Sequence, residues 1–151
     1  RLADVGAREL GIDFRNVSGA GAAGGLGFGL MLFCGAELRS GFDVMADAIH
    51  LEEKIRQADV VITGEGRFDA QTLQGKAPAG VATLARKHQK RVYAIVGEVV
   101  QDTEISGLFD GVFELARGPG GMDEAMACAP QLLRDRAAEL AGSLRDQARA
   151  G

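Results

Sequence analysis

The sequence predicts an α/β fold built on a parallel sheet, and three observations carry that expectation. Short apolar runs rich in β-branched residues stand at 60–63, 91–96 and 111–115. Stretches of helical periodicity follow each of them, and a strand–helix alternation of this kind closes as a parallel sheet with helices on its faces. The composition also changes near residue 50, from Gly/Ala-rich helical sequence to alternating β and α. The link between the first two runs is long enough for a right-handed βαβ crossover.

Taken in order, residues 1–10 read as a helix with Leu2, Val5 and Leu10 apolar, stopped by Gly11. Residues 12–18 are a connector. Leu26, Leu30, Phe33 and Cys34 fall at helical spacing and predict a buried helix. Gly27 and Gly29 would each cost that helix about 1 kcal/mol relative to alanine, which points to close packing against another backbone. Gly35 and Gly41 bracket a turn. Phe42, Met45, Ala46 and Ile49 mark an amphipathic turn or two, and 51–57 is a short charged helix. The strand at Val60 follows. Pro78 then opens a helix whose inner face is Val81, Leu84 and Ala85, with Arg86, Lys87 and Lys90 at the end where the helix dipole favours cations. The strand at 91–96 is expected to end at Gly97-Glu98. A short helix over 102–109, a strand over 111–115 and a breaker at 118–121 come next. Residues 122–150 are helical, with Met122, Met126, Ala129, Leu133, Leu140 and Leu144 on one face; Pro130 predicts a kink or two abutting helices.

The chain has 151 residues, 46% hydrophobic and 25% charged, enough for one domain or one domain and a piece of another. Its formal net charge is -4 and its pI about 5.2, and it has no Trp. That balance argues against a nucleic-acid surface, which needs a basic patch and commonly aromatic stacking platforms. No apolar run approaches a membrane span, and no signal peptide is evident. Cys34 and Cys128 are too few for a disulfide framework and read as small buried thiols in a reducing cytoplasm. Arg rather than Met at position 1 suggests a piece of a longer protein.

Chemistry concentrates in residues 58–78, ADVVITGEGRFDAQTLQGKAP. An apolar strand runs into a loop that holds Gly64, Glu65, Gly66, Arg67, Asp69, Gln71, Gly75 and Lys76, and Pro78 then starts a helix. Ligands of open α/β sheets sit at the carboxyl ends of the strands, where this loop lies. Arg67 can grip a carboxylate or phosphate in a bidentate fork. Lys76 precedes a helix N-terminus, so charge and dipole converge on an anion. Asp69 or Glu65 could accept a proton from a hydroxyl or hold Mg²⁺. These parts suit phosphoryl transfer, which is mostly positioning and charge neutralisation. The plainer alternatives are a solvated loop and an Arg67–Asp69 ion pair. His50 and His88 have no metal-ligand spacing around them, and neither a P-loop nor a hydrolase motif is present.

Gly19, Gly21 and Gly24 match G-x-G-x-x-G, with Gly25 and Gly27 beyond. A dinucleotide site is disfavoured because residues 12–17 are not a convincing strand and no acid closes a second strand about 20 residues on. The glycines either permit tight helix packing or present N–H groups to an anion.

Three stretches together resemble the bacterial glycerate kinase family that is unrelated to P-loop and protein kinases: GAGAAGGLGFGL at 19–30, ADVVITGEGRFDAQTLQGKAPAGVA at 58–82, and the tail from Gly118 to Leu144. The resemblance covers nearly the whole chain but only the C-terminal part of the family's protein. It implies ATP-dependent phosphorylation of D-glycerate to 2-phosphoglycerate, or to 3-phosphoglycerate, with Mg²⁺. It also implies two α/β domains, one a doubly wound parallel sheet of flavodoxin or Rossmann type and the other inserted within it. Residues 1–50 would be the helical end of the inserted domain and residues 51–151 the C-terminal part of the doubly wound one. Catalytic roles then fall to Asp69, Lys76, Arg67 and Glu65, and substrate contacts to Gly64, Gly66, Gln71, Gly19, Gly21, Gly24 and Gly25. The partners implied are the small-molecule substrate and the missing N-terminal part, which would supply a lysine and a further glycine-rich stretch. Alone, the chain would be inactive, and its unpartnered sheet edge would favour self-association, as in a homo-oligomer. A binding module that senses a hydroxy acid without chemistry, or less favourably a dinucleotide-dependent oxidoreductase, is the alternative.

Overall fold

In a computed structural model the described residues are 1–69, 77–100 and 107–150. They form two compact units, Arg1–Asp43 and Val44–Gly151. The division falls inside a helix, some residues before the change in composition near residue 50.

The first unit holds helices α1 (Leu2–Leu10) and α2 (Ala22–Cys34). Gly11 ends α1 in the left-handed region, as a helix-stopping glycine does. The expectation for α2 needs a correction. The helix is present, but it buries Phe28, Met31 and Leu32, while Leu26, Leu30 and Phe33 are exposed, Phe33 by 68%. The sequence of α2 is apolar on every side, so periodicity could not select the face. Packing selects it: Phe28, Met31 and Leu32 cluster with Ala20, Ala3 and Phe14. Gly27 does sit against backbone, since a Cβ there would lie 3.0 Å from the Gly19 carbonyl oxygen; at Gly29 a Cβ would meet open space. The thiol expectation is also corrected. Cys34 and Cys128 are both exposed, because each lies at a helix end rather than in a packed face.

Helix α3 (Gly41–Ala48) carries the chain across the division. The second unit then runs α4 (Leu51–Gln57), β1 (Val60–Phe68), α5 (Ala77–Lys87), β2 (Arg91–Val99), β3 (Gly111–Glu114), α6 (Gly121–Ala127) and α7 (Ala129–Ala150). The three strands are parallel in the order β1-β2-β3. Alternation along β2 feeds two cores. Val92, Ala94 and Val96 join Val61 of β1, Ile55 of α4 and Ala82 and Ala85 of α5. Tyr93 and Ile95 face the other way, with Phe113 of β3 and Leu140 and Leu144 of α7. Helices therefore cover both faces, as a doubly wound sheet requires. Pro130 stands in the first turn of α7, where its missing N–H costs nothing, and the helical tail breaks into α6 and α7 at Cys128.

Both β1 and β2 run further than expected. The glycines and charges after Thr63 continue β1 to Phe68, and β2 continues through Gly97-Glu98 to Val99, because each strand hydrogen-bonds the other's extension. Val61 and Phe68 share a core although they stand seven positions apart, and so do Val92 and Val99. Uninterrupted alternation would place such pairs on opposite faces. The alternation slips by one step in both strands together. The ladder passes from Glu65↔Val96 to Arg67↔Glu98, leaving Gly66 and Gly97 between.

Polar contacts fasten the second unit at its amino-terminal side. The Asp110 carboxylate accepts from the Val92 N–H at 2.7 Å and from Arg86 at 3.0 Å, joining α5, β2 and the approach to β3. Residues 102–106 of the helix expected before that point lie outside the described residues; residues 107–110 are not helical. Glu52 of α4 pairs with Lys87 at the end of α5 and with His88 just beyond it, both at 2.7 Å. Hydrogen bonds from Lys87 and His88, reinforced by their charge, hold the Glu52 carboxyl down at about 2. A carboxylate depressed in the folded state adds stability above its unfolded pKa and loses it as pH falls through the folded one. The urea midpoint of the wild type is accordingly expected to exceed that of Glu52→Gln at pH 6. The gap is expected to close between pH 4.5 and about 2; a gap that stays constant over that range refutes the link.

Candidate functional site

The acid–base residues occupy the carboxyl end of β1, at the strand ends where ligands of parallel sheets bind. Glu65 and Arg67 are strand residues rather than loop residues, and Asp69 is the first residue past the strand. Phe68 between them is fully buried and meets Phe109 edge-to-face at 5.4 Å, which fixes this end of β1 to the core. Gln71, Gly75 and Lys76 lie outside the described residues.

Arg67 does not stand alone. Its Nε is 3.6 Å from the Glu98 carboxylate on β2, with the Arg67 side chain 64% exposed. A pair this open is worth little, so the guanidinium can leave Glu98 for an incoming anion at small cost. Glu98 had no distinguishing signal in the sequence; only the unexpected length of β2 places it opposite Arg67.

The glycines divide by role. A Cβ on Gly64 would lie 2.6 Å from the Ile95 carbonyl oxygen, and one on Gly97 only 2.2 Å from the Gly66 carbonyl oxygen. Glycine at these two positions is a condition of the strand pairing. A Cβ on Gly66 would meet nothing within 4 Å. Gly66 is thus bare where packing does not demand it.

Beside Gly66 opens a cavity of about 390 Å³. Glu65, Gly66, Ile95 and Gly97 form its strand wall, and Met122, Ala125 and Met126 of α6 lie opposite, with Leu133 of α7. Arg67 and Asp69 are not in its lining. The apolar face expected along 122–144 is corrected here: Leu140 is buried, but Met126 and Leu133 are exposed and border this space.

The glycine-rich segment of the first unit makes a second hollow, of about 200 Å³. Gly21, Gly24 and Gly25 line it with Arg15, Ala20 and Phe28. Ala23, Gly24 and Gly25 are consecutive left-handed residues at the start of α2, a turn that only a glycine-rich sequence makes cheaply. Gly19, also left-handed, is outside the lining and faces Leu38. Arg15 is a residue the sequence did not single out. It is held by Asp13 at 2.6 Å and by Asp4 at 3.1 Å, and the Asp13 contact raises its already high pKa.

Among the described residues no group of three or more His, Cys, Asp or Glu is placed to hold a metal ion. Mg²⁺ is ordinarily held by one or two carboxylates together with substrate phosphates, so Asp69 or Glu65 is of the right chemical type without such a group. No helix among the described residues is long and apolar enough to cross a membrane.

The glycerate kinase family model matches residues 1–145. Glycerate 2-kinase of Escherichia coli K12 is 45% identical over 82% of this chain and 33% of its own length. Glycerate kinase of Bacillus subtilis 168 is 37% identical over 95% of this chain and 38% of its own. The crystal structure of a chain assigned as glycerate kinase 2 from Salmonella typhimurium LT2 superposes with a TM-score of 0.74 at 39% identity, over 99% of this chain and 38% of that one. The chain thus spans roughly a third of the length of the curated relatives it matches, 33% and 38% for the first two. The match runs through both the glycine-rich turn and the end of β1, and the chain belongs to the glycerate kinase family.

Proposed function

We propose that this sequence is part of a glycerate kinase that moves the γ-phosphoryl group of ATP to a hydroxyl of D-glycerate, giving 2-phosphoglycerate or 3-phosphoglycerate. The observation that carries this is the family match over residues 1–145, which includes every residue to which we assign a role.

Asp69 takes the proton from the glycerate hydroxyl as that oxygen bonds to phosphorus, while the bond from phosphorus to the β-phosphate oxygen breaks and ADP leaves. Arg67, released from Glu98, and Lys76 hold the glycerate carboxylate and the transferring phosphoryl group. Glu65 orients its neighbours on the strand, and the backbone at Gly64 and Gly66 with Gln71 completes the substrate wall. Mg²⁺ bound to the phosphates would neutralise charge developing on the β- and γ-oxygens, with Asp69 or Glu65 as its protein ligand. The glycine-rich hollow lined by Gly21, Gly24, Gly25 and Arg15 takes an anionic end of a substrate, with Gly19 shaping the turn beside it. The unit Arg1–Asp43 belongs to a second domain, and the remaining part of the protein supplies the other groups needed for turnover. An ATP-dependent reaction on a free organic acid places the protein in the cytoplasm.

The test is an assay of the full-length protein with ATP, Mg²⁺ and D-glycerate, followed by phosphorus NMR of the product. ADP formation that depends on glycerate is the expected result. Glycerate binding without turnover would instead identify a hydroxy-acid binding module and remove the kinase.

A further inference from the structure

We propose that Glu114, the last residue of β3, is a positioning residue whose carboxylate holds the carboxyl ends of β1 and β2, and with them Arg67 and Asp69. What Arg67 and Asp69 do there rests on the kinase reading above; the hydrogen bonds that carry the proposal do not.

β3 is too short to hold β2 along its whole length. It pairs with Tyr93 through Val96, whereas β2 continues to Val99. Just past Glu114, the Leu115 N–H donates to the Val96 carbonyl and the Ala116 N–H to the Gly97 carbonyl, both at 2.9 Å. Successive carbonyls of β2 thus turn to the same side, where a regular strand would alternate. This is the one-step slip at Gly97 met from the β3 side, and after it the Val99 N–H faces β3 as well. The β3 ladder has ended by then, at Val96↔Glu114. The Glu114 side chain takes its place, accepting from the Val99 N–H at 2.8 Å. A partly buried N–H left without an acceptor is costly, and a carboxylate is the stronger kind of acceptor.

Val99 is the junction with the candidate site. It stands opposite Phe68, and its neighbour Glu98 stands opposite Arg67. On its other side the Val100 N–H donates to the Phe68 carbonyl at 2.9 Å. The consecutive amides of Val99 and Val100 therefore tie Glu114 to Phe68, and Asp69 is the next residue. Asp110 provides an internal comparison. It stands just before β3 and accepts from the Val92 N–H at 2.7 Å, so carboxylates on either side of β3 fasten β2 at both ends. Asp110 serves the end remote from the site and Glu114 the end beside it. Since a misplacement of about 1 Å can cost roughly 10²-fold in rate, slack at Val99 is expected to show in turnover and slack at Val92 is not.

The test compares reach with charge in the full-length protein. Glu114→Gln keeps the length of the side chain and an oxygen that accepts; Glu114→Asp keeps the charge but is shorter by a methylene. For glycerate phosphorylation, kcat/KM is expected to fall at least about tenfold in Glu114→Asp and to stay within about threefold in Glu114→Gln. Amide hydrogen exchange, read residue by residue, is expected to quicken at Val99 in the aspartate variant alone, with Val92 unchanged in both. Asp110→Ala is expected to do the reverse, with faster exchange at Val92 and kcat/KM within about threefold of wild type. Wild-type turnover in Glu114→Asp overturns the proposal. So does a Glu114→Gln enzyme as slow as Glu114→Asp, or a loss in Asp110→Ala that matches it. Wild-type protein without glycerate-dependent turnover removes the kinase, and exchange at Val99 then decides the clamp by itself. Unchanged exchange in Glu114→Asp overturns the clamp, and faster exchange upholds it.

Discussion

Replacing Asp69 by asparagine is expected to lower kcat for glycerate phosphorylation in the full-length protein by about 10²- to 10⁴-fold, with KM for both substrates within about threefold. The substitution keeps the shape and the hydrogen-bonding oxygen of the side chain but removes its capacity to accept a proton. Asp69 follows directly on Phe68, whose ring is fully buried against Phe109, so the backbone at this point is held by the core. A rigid anchor one residue away is what a proton acceptor needs, since a misplacement of about 1 Å can cost 10²-fold in rate. Steady-state kinetics decides the matter. A kcat within threefold of wild type would assign proton acceptance elsewhere, and a rise in KM alone would make Asp69 a binding residue.

The second large effect is on stability. Gly97→Ala is expected to destabilise the second unit by about 3 kcal/mol, because its Cβ would lie 2.2 Å from the Gly66 carbonyl oxygen. Relief requires moving β1 away from β2, and no flexible side chain stands between them to give way instead. Gly66→Ala is the matched control on the facing strand, with open space for its Cβ, and is expected to cost less than about 1 kcal/mol. Urea unfolding followed by circular dichroism compares them. Equal losses would mean that the close approach of the two strands at position 97 does not set the cost.

These glycines also mark where sequence reasoning stopped short. The stretch Gly64-Glu65-Gly66-Arg67 has the composition of a turn, and Gly97-Glu98 that of a strand end, so both strands were expected to stop early. In the structure the same glycines are what lets the strands continue, since two backbones approach too closely there for a Cβ at positions 64 and 97. Local composition cannot distinguish a glycine that turns the chain from one that admits a neighbour. Elsewhere local signals sufficed. The charged helix Leu51–Gln57, the start of β1 at Val60 and the break before Pro130 were legible because each depends on periodicity or on proline within a few residues. The exposed side of α2 was not legible, because an all-apolar helix has no polar face to orient it. At the candidate site, residue type and order pointed to Glu65, Gly66, Arg67 and Asp69, which the structure puts at the end of β1 and just past it. Glu98 and Arg15 escaped, as their significance comes from a cross-strand neighbour and from the turn that brings Arg15 beside Gly21 and Gly24.

Tyr93 is the only tyrosine, there is no tryptophan, and its ring is buried on β2 with its hydroxyl donating to Gln147 at 3.1 Å. Ultraviolet emission from this protein therefore comes from one fluorophore in the middle of the sheet. It reports on the loosening of α7 from β2 and is blind to Arg1–Asp43. Melting curves recorded by that emission and by amide absorbance will separate wherever the two units come apart at different temperatures.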